Sequence, residues 1–162
     1  MSRNFSELKS VTLPESLACI GNYVFCYYSK VKTVILSESL TSIGDYAFRH
    51  CRGLMSITLP ESLTSIGDYA FSDCSGLTLI TLPEWFLSIG KETFSGCSGL
   101  TSIILPELIA SIGEGAFRSC PGLMLVTLPE LLASIGMGAF SGCTGLTSNF
   151  TRISCIRWGA CI

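Results

Sequence analysis

Apolar and polar residues alternate along this chain in a pattern that repeats every 23 residues. Position four of each copy is Ile or Val, position six is Leu, position thirteen is Ile, position fourteen is Gly and position eighteen is Phe. A fixed step of this length is typical of proteins in which one structural unit is stacked many times. The copies begin at Leu8, Val31, Leu54, Leu77, Leu100 and Leu123, without insertion or deletion.

Positions three to six of each copy predict a short β-strand. The apolar residues at positions four and six alternate with positions three and five, as expected when one face of a strand is buried. Position seven is Pro in all copies but the second, which has Ser37, and Pro ends the strand because it has no N–H to donate. A unit this short cannot bury its own apolar face, so the copies must stack and share one core.

The second half of each copy predicts another short extended run followed by a turn. In the third copy this run covers residues 63–66 and stops at Gly67, which we expect to take a positive φ and turn the chain. Residues 68–74 then predict a single helical turn, with Asp68 as its N-cap.

The motif L-x-x-I-x-L-P-x-x-L-x-x-I-G-x-x-A-F-x-x-C resembles the BspA-type (Treponema pallidum-type) leucine-rich repeat over residues 8–145. The resemblance implies a curved leucine-rich repeat solenoid of stacked 23-residue coils. Such a fold is β-rich α/β, with a parallel β-sheet on one face and short helical turns. The commoner leucine-rich repeats have Asn at position nine, so we expect no Asn ladder there and a turn held by Pro and stacked backbone. This chain has Ser16, Ser39, Ser62, Trp85, Leu108 and Leu131 at that position.

Both ends of the chain depart from the repeat. We expect residues 1–7 to form a minimal N-terminal cap, residues 8–145 to form six repeats, and residues 146–162 to be a degenerate or truncated seventh repeat. We interpret this tail as the altered end of a longer array. The chain shows no apolar segment of signal-peptide length and no lipidation motif, so its localisation is unknown, although the resembled family is often secreted or at the cell surface.

Composition and motifs limit the partners and the chemistry. The net charge is −2 and Lys and Arg form no dense stripe, so we expect no nucleic-acid partner. Polar residues interrupt every apolar run before the ~20 residues that membrane insertion needs. The chain has no phosphate-binding loop and no nucleophile motif, and His50 is its single histidine. We therefore expect no enzyme, no catalytic residue and no cofactor.

Five of the nine cysteines stand at position twenty-one of successive copies. A step of 23 residues is not a zinc-site spacing, so we expect no metal site. Side chains on stacked coils point in parallel and not towards each other, which disfavours disulfides. We expect a column of buried free thiols that pack as small apolar groups. The five are Cys51, Cys74, Cys97, Cys120 and Cys143.

Position eight is Glu in every copy, which predicts a ladder of carboxylates beside the strands. Two such charges ~5 Å apart repel by ~0.8 kcal/mol in water. The ladder is either a solvated edge that keeps an apolar protein soluble, or a surface that collects cations or a basic partner. Because each Glu has the same surroundings, a glycosidase-like division into acid and base is disfavoured. The ladder is Glu15, Glu38, Glu61, Glu84, Glu107 and Glu130.

The outward strand positions three and five predict a broad Ser/Thr surface with scattered apolar residues. At position nine, Ser gives way to Trp and Leu in the later copies, and an exposed Trp beside Leu is typical of binding hot spots. Sequence drift, or cover from another chain or segment, is the alternative explanation. The candidate partner-binding residues are Ile35, Thr58, Leu79, Thr81, Trp85, Ile104, Leu108, Leu125 and Leu131.

Together these features predict a non-enzymatic leucine-rich repeat protein that binds another macromolecule through the outer face of its sheet, and the resemblance implies that this surface serves in adhesion. The resemblance implies a partner that is another protein or an extracellular-matrix-type macromolecule. Uncapped end coils also allow end-to-end self-association. One alternative is a structural spacer within a longer array, which the uniform coils favour. The other is ice or polysaccharide binding by the Ser/Thr rows, which Ile and Leu interrupt.

Overall fold

A computed structural model describes residues 7–146, in which each coil of the chain contributes two short strands. The first strand of each coil has three residues and the second has two. The first strands are β1 (Ser10–Thr12), β3 (Thr33–Ile35), β5 (Ser56–Thr58), β7 (Leu79–Thr81), β9 (Ser102–Ile104) and β11 (Leu125–Thr127). The second strands are β2 (Cys19–Ile20), β4 (Ser42–Ile43), β6 (Ser65–Ile66), β8 (Ser88–Ile89), β10 (Ser111–Ile112) and β12 (Ser134–Ile135).

Strands of neighbouring coils pair in parallel, shifted by one whole repeat. Val11 lies opposite Val34 in the first sheet, and Ile112 lies opposite Ile135 in the second. The first strands form the sheet β1-β3-β5-β7 and the pair β9-β11, and the second strands form β2-β4-β6 and β8-β10-β12. The parallel solenoid with one strand face buried is therefore confirmed, although its ladders are interrupted between β7 and β9 and between β6 and β8.

A single apolar core runs the length of the described stack. The residues at positions four, ten, thirteen and eighteen are buried in the inner coils. The Phe rings at position eighteen stack face to face, with ring centroids 5.1 Å apart between Phe25 and Phe48 and 5.7 Å apart between Phe71 and Phe94. Val11 and Leu17 of the first coil, at the end of the described stack, are only partly buried.

The predicted helical turn at residues 68–74 is wrong, and so is the N-cap at Asp68. This segment is a series of turns, and the described part of the chain contains no α-helix. Asp68 Oδ1 accepts a hydrogen bond from the backbone N–H of Lys91 in the next coil, at 2.8 Å. The N–H of Asp68 in turn donates to Asp45 Oδ1, and that of Asp45 donates to Asn22 Oδ1. Position fifteen therefore links successive coils and does not cap a helix.

Gly67, at position fourteen of the third copy, is needed for close packing, and the positive φ predicted for it is wrong. A Cβ at Gly67 would lie 2.6 Å from the backbone N of Asp45 and 2.7 Å from the carbonyl carbon of Gly44. The left-handed backbone occurs instead at positions sixteen and twenty, where the coil turns. At position sixteen it is taken by Tyr23, Tyr46, Tyr69, Glu92, Gly115 and Gly138, and at position twenty by Tyr27, His50, Asp73, Gly96, Ser119 and Gly142.

Candidate binding surface

The turn that follows each first strand places position nine at an outer corner of the coil. In the fourth coil the N–H of Phe86 donates to the carbonyl oxygen of Pro83 at 3.1 Å, which closes the turn. Phe86 points into the core, and Trp85 beside it is exposed. Equivalent bonds close the corners that hold Leu108 and Leu131 in the next two coils. Pro and backbone hydrogen bonds thus form this turn in these coils.

Four apolar side chains on coils four to six form what we call the Trp85 surface: Trp85, Leu87, Leu108 and Leu131. Their exposed fractions are 66 %, 61 %, 38 % and 62 %. The N–H of Ala110 donates to the carbonyl oxygen of Leu87 at 2.9 Å, so the fourth and fifth coils are in direct register at this edge. The three residues at position nine therefore stand on consecutive coils.

In an earlier coil, position nine has a structural role that these apolar residues cannot take. The hydroxyl of Ser62 donates to the carbonyl oxygen of Leu40 in the preceding coil at 2.7 Å. Leu has no side-chain donor, and the indole ring of Trp85, which carries an N–H, is exposed. From the fourth coil onward, an inward hydrogen bond is therefore replaced by exposed apolar surface.

Leu87 was missed by the sequence analysis, although a change of residue type at its position of the repeat indicates it. It stands at position eleven, where the hydroxyls of Thr41 and Thr64 each donate to a carbonyl oxygen of the preceding coil at 3.0 Å. The change from Thr to Leu coincides with the change from Ser to Trp two residues earlier. Comparing positions nine and eleven together would have identified it.

The outer row at position three contains two predicted residues that do not touch each other. Leu79 on β7 lies opposite Ser56, and Leu125 on β11 lies opposite Ser102. Both leucines are exposed. Because Ser102 belongs to the coil between them, they form separate apolar points and not a patch.

The outer row at position five is mostly Thr, with isolated Ile. Thr58 and Thr81 are direct neighbours in the sheet. Ile35 lies opposite Thr12, and Ile104 lies opposite Thr127. The first sheet thus presents mixed polar and apolar residues, whereas the corners gather apolar side chains on consecutive coils.

A shallow depression of about 220 Å³ lies on the outer face of β3 and β5. Ile35, Thr58 and Glu38 line part of it. It brings two of the predicted residues together with one carboxylate of the ladder. The depression contains no His or Cys, and the described residues hold no group of His, Cys, Asp and Glu that could bind a metal ion.

The cysteine column is buried, as expected, and its thiols are free. Burial raises the pKa of Cys51 and of Cys97 to about 12. These thiols are therefore fully protonated at neutral pH and unsuited to nucleophilic chemistry. Cys51 and Cys97 therefore belong to the core and not to a reactive site.

The turns at position sixteen of the first three coils carry a row of stacked aromatic rings that the sequence analysis also missed. The rings of Tyr23, Tyr46 and Tyr69 stack with centroids 4.7 Å apart, and the Arg49 guanidinium lies 5.5 Å from the Tyr46 ring centroid. Beside them, burial lowers the pKa of His50, an effect that the charge of Asp73 opposes. The repeated Tyr at position sixteen was the available signal.

Among residues 7–146 there is no helix with the length and apolar character of a membrane span.

Coils, parallel ladders and an exposed corner of this kind define a leucine-rich repeat scaffold. The family model described as the BspA type leucine rich repeat region matches residues 3–123 in six copies, and the chain belongs to this family. The resemblance seen in the repeat motif is thereby confirmed. Among curated proteins, no significant match to the chain is found.

Solved structures similar to this chain are also leucine-rich repeat proteins. The T. pallidum leucine-rich repeat protein is 30% identical, with a TM-score of 0.77, over 86% of this chain and 78% of its own length. A leucine-rich repeat protein from Bacteroides ovatus is 28% identical, with a TM-score of 0.67, over 83% of this chain and 41% of its own.

The pneumococcal vaccine antigen PcpA is 33% identical, with a TM-score of 0.68, over 76% of this chain and 31% of its own length. The chain therefore spans less than half of two of these three relatives. What the matches share with it is the repeat scaffold.

Proposed function

We propose that this chain is a non-enzymatic scaffold that binds another protein, or a matrix-type macromolecule, through the Trp85 surface. The observation that carries the proposal is the run of exposed Trp85, Leu108 and Leu131 on three consecutive coils. Large apolar side chains exposed side by side are characteristic of interaction sites in soluble proteins. The scattered Ile and Leu of the first sheet would extend the contact.

An adhesive role is the more specific form of this proposal. It is supported by membership of the BspA type family and by similarity to a protein named as a pneumococcal vaccine antigen. A rigid stack of coils also presents its corner residues without a large loss of conformational entropy on binding. Trp is among the residues most enriched at energetic centres of interfaces, so we expect Trp85 to contribute most.

The experiment measures binding of the full chain to purified collagen, fibronectin, laminin and fibrinogen on a sensor surface. We expect wild-type protein to bind at least one of them, and Trp85→Ala to weaken that binding by about tenfold or more. The matched control is Met55→Ala, because Met55 is 55 % exposed on a different part of the third coil. Its binding should change by less than about twofold.

Both variants must keep the wild-type circular dichroism spectrum, since neither side chain belongs to the core. Equal binding by wild-type protein and Trp85→Ala would contradict the proposal. Absence of binding to all four proteins would also count against it and would favour a structural spacer.

A further inference from the structure

The edge that carries the Trp85 surface is acidic. Glu84 and Glu107 directly precede Trp85 and Leu108, and both carboxylates are exposed. In the part of the chain that the structure describes, neither Glu forms an ion pair. The apolar corner is therefore bordered by negative charge that no ion pair within residues 7–146 neutralises.

The basic residues of the same coils pair with other carboxylates. Lys91 Nζ lies 3.4 Å from Glu114 Oε1, and Arg118 Nη1 lies 3.7 Å from Glu92 Oε1. These pairs lie on the turns around positions fifteen to nineteen, away from the corner at position nine. The net charge at the Trp85 surface is consequently negative, and its complement is a cationic partner.

If the Trp85 surface binds protein, as proposed above, its occupant can be described more closely. We propose that the occupant is a cationic amphipathic α-helix of the partner, which lies along the axis of the stack. One apolar residue per helical turn packs on each of Trp85, Leu108 and Leu131. Lys or Arg residues at the border of its apolar face approach Glu84 and Glu107.

The step between coils favours a helix over an extended strand. Between coils four, five and six the stacked Phe rings are 5.5 Å and 5.3 Å apart, and paired strands are ~4.8 Å apart. A helix repeats every ~5.4 Å along its axis, whereas alternate residues of a strand are ~6.6 Å apart. Over the two steps from Trp85 to Leu131, the repeat of a helix differs from the spacing of the coils by at most ~1 Å in total. The repeat of a strand differs from it by ~2–4 Å.

A second copy of the chain does not supply this occupant from its described residues. That part of the chain contains no α-helix. An acidic or neutral helix would match the step equally well, but it would leave the carboxylates of Glu84 and Glu107 without a counter-charge. The spacing of the coils therefore favours a helix over a strand, and the carboxylates of Glu84 and Glu107 favour a helix with positive charge.

The experiment uses three dye-labelled peptides of ~18 residues, long enough to form a helix on binding. The first has Leu at helical spacing among Lys, the second has the same composition with strict Leu/Lys alternation, and the third has Leu at helical spacing among Glu. Fluorescence anisotropy with the full chain should show binding of the first peptide. The alternating peptide should bind about tenfold more weakly or worse, and the Glu peptide should not bind.

A pair of double variants tests the role of the carboxylates. Glu84→Gln with Glu107→Gln should weaken binding of the Lys/Leu helix by about fivefold and reduce its dependence on salt. The matched control, Glu7→Gln with Glu15→Gln, changes the net charge equally at two exposed carboxylates at the other end of the stack and should leave binding unchanged. Equal binding by the two double variants would overturn the inference, as would equal binding of any two of the three peptides.

Trp85→Ala separates this inference from the proposed function. If that variant loses binding to matrix proteins while the three peptides bind alike, the surface binds protein but its occupant is not a cationic helix. If the variant retains both kinds of binding, the proposed function and the inference both fail.

Discussion

The thiol of Cys74 donates a hydrogen bond to the carbonyl oxygen of Phe48, in the preceding coil, at 3.1 Å. The bond recurs along the column, so that each cysteine from the second coil to the sixth is tied to the phenylalanine of the coil before it. Cysteine suits this position because it is small, apolar and still able to donate a second hydrogen bond to a carbonyl that already accepts one from a backbone N–H. The shared period of Phe and Cys therefore reflects one contact between coils.

We expect Cys74→Ala to lower the free energy of unfolding by about 2 kcal/mol. The variant leaves a cavity in place of the sulfur and removes one of the two hydrogen bonds that the buried Phe48 carbonyl oxygen accepts, the other coming from the Cys51 N–H. Urea unfolding followed by circular dichroism measures the change. Cys19→Ala, at an exposed cysteine, is the control and should change stability by less than about 0.5 kcal/mol. Equal effects of the two substitutions would show that the column bond is unimportant.

The cysteine column should make the protein less stable at high pH. In the folded chain the pKa of Cys51 and of Cys97 is about 12, above the ordinary thiol value of 9.0 that applies once the chain unfolds. Their contribution to stability is thus complete below about pH 9 and is lost as the pH rises towards 12. Urea unfolding at about pH 8 and about pH 11 measures the loss.

Other groups also titrate in this range, so a variant provides the comparison. Cys51→Ala with Cys97→Ala should start less stable than wild-type protein but lose less stability between the two pH values. A loss as large as that of wild-type protein would mean that the thiols do not cause the effect.

Ile89→Asp should unfold the domain at room temperature or lower its stability by several kcal/mol. Ile89 is 3 % exposed and pairs with Ile112 on the next coil, so the substitution buries an unpaired charge in the shared core. Leu87→Asp places the same charge two residues earlier, on an exposed side chain, and should melt close to wild-type protein. The folding account would be contradicted if Ile89→Asp melted at the wild-type temperature.

The repeat allowed the strands, the core and the cysteine column to be predicted because those features depend on which positions are apolar. A strand with Ile57 inward and Thr58 outward requires no knowledge of the neighbouring coil. The same comparison of copies identified Trp85 as a departure from the repeat. Leu87 escaped it because a leucine in an apolar run resembles core, although position eleven is Thr in the two preceding copies.

Relations between coils could not be predicted from one copy. Asp68 has the local context of an N-cap, but its carboxylate bonds to Lys91, which is a full repeat away in sequence and adjacent in space. The role of Gly67 was likewise misjudged, because the atoms that exclude a side chain belong to the preceding coil. In this stack, the residue that lies beside a given residue in the next coil is 23 positions away in the sequence.

Gly67→Ala, compared with the same substitution at Gly21 in the first coil, tests this packing explanation. A Cβ at Gly67 would meet backbone atoms of Asp45 and Gly44 at 2.6 Å and 2.7 Å, and backbone cannot move aside as a flexible side chain can. We expect the variant to lower the free energy of unfolding by ~2–3 kcal/mol.

Gly21 occupies the same position of the repeat, but among the described residues a Cβ there would meet only Val24 Cγ2, at an ordinary 3.6 Å. Gly21→Ala should therefore be neutral or slightly stabilising, because Ala restricts the unfolded chain more than Gly does. Urea unfolding of both variants decides between the two explanations. If glycine were needed here for its backbone freedom, the two substitutions would destabilise alike; if the preceding coil excludes the side chain, only Gly67→Ala is costly.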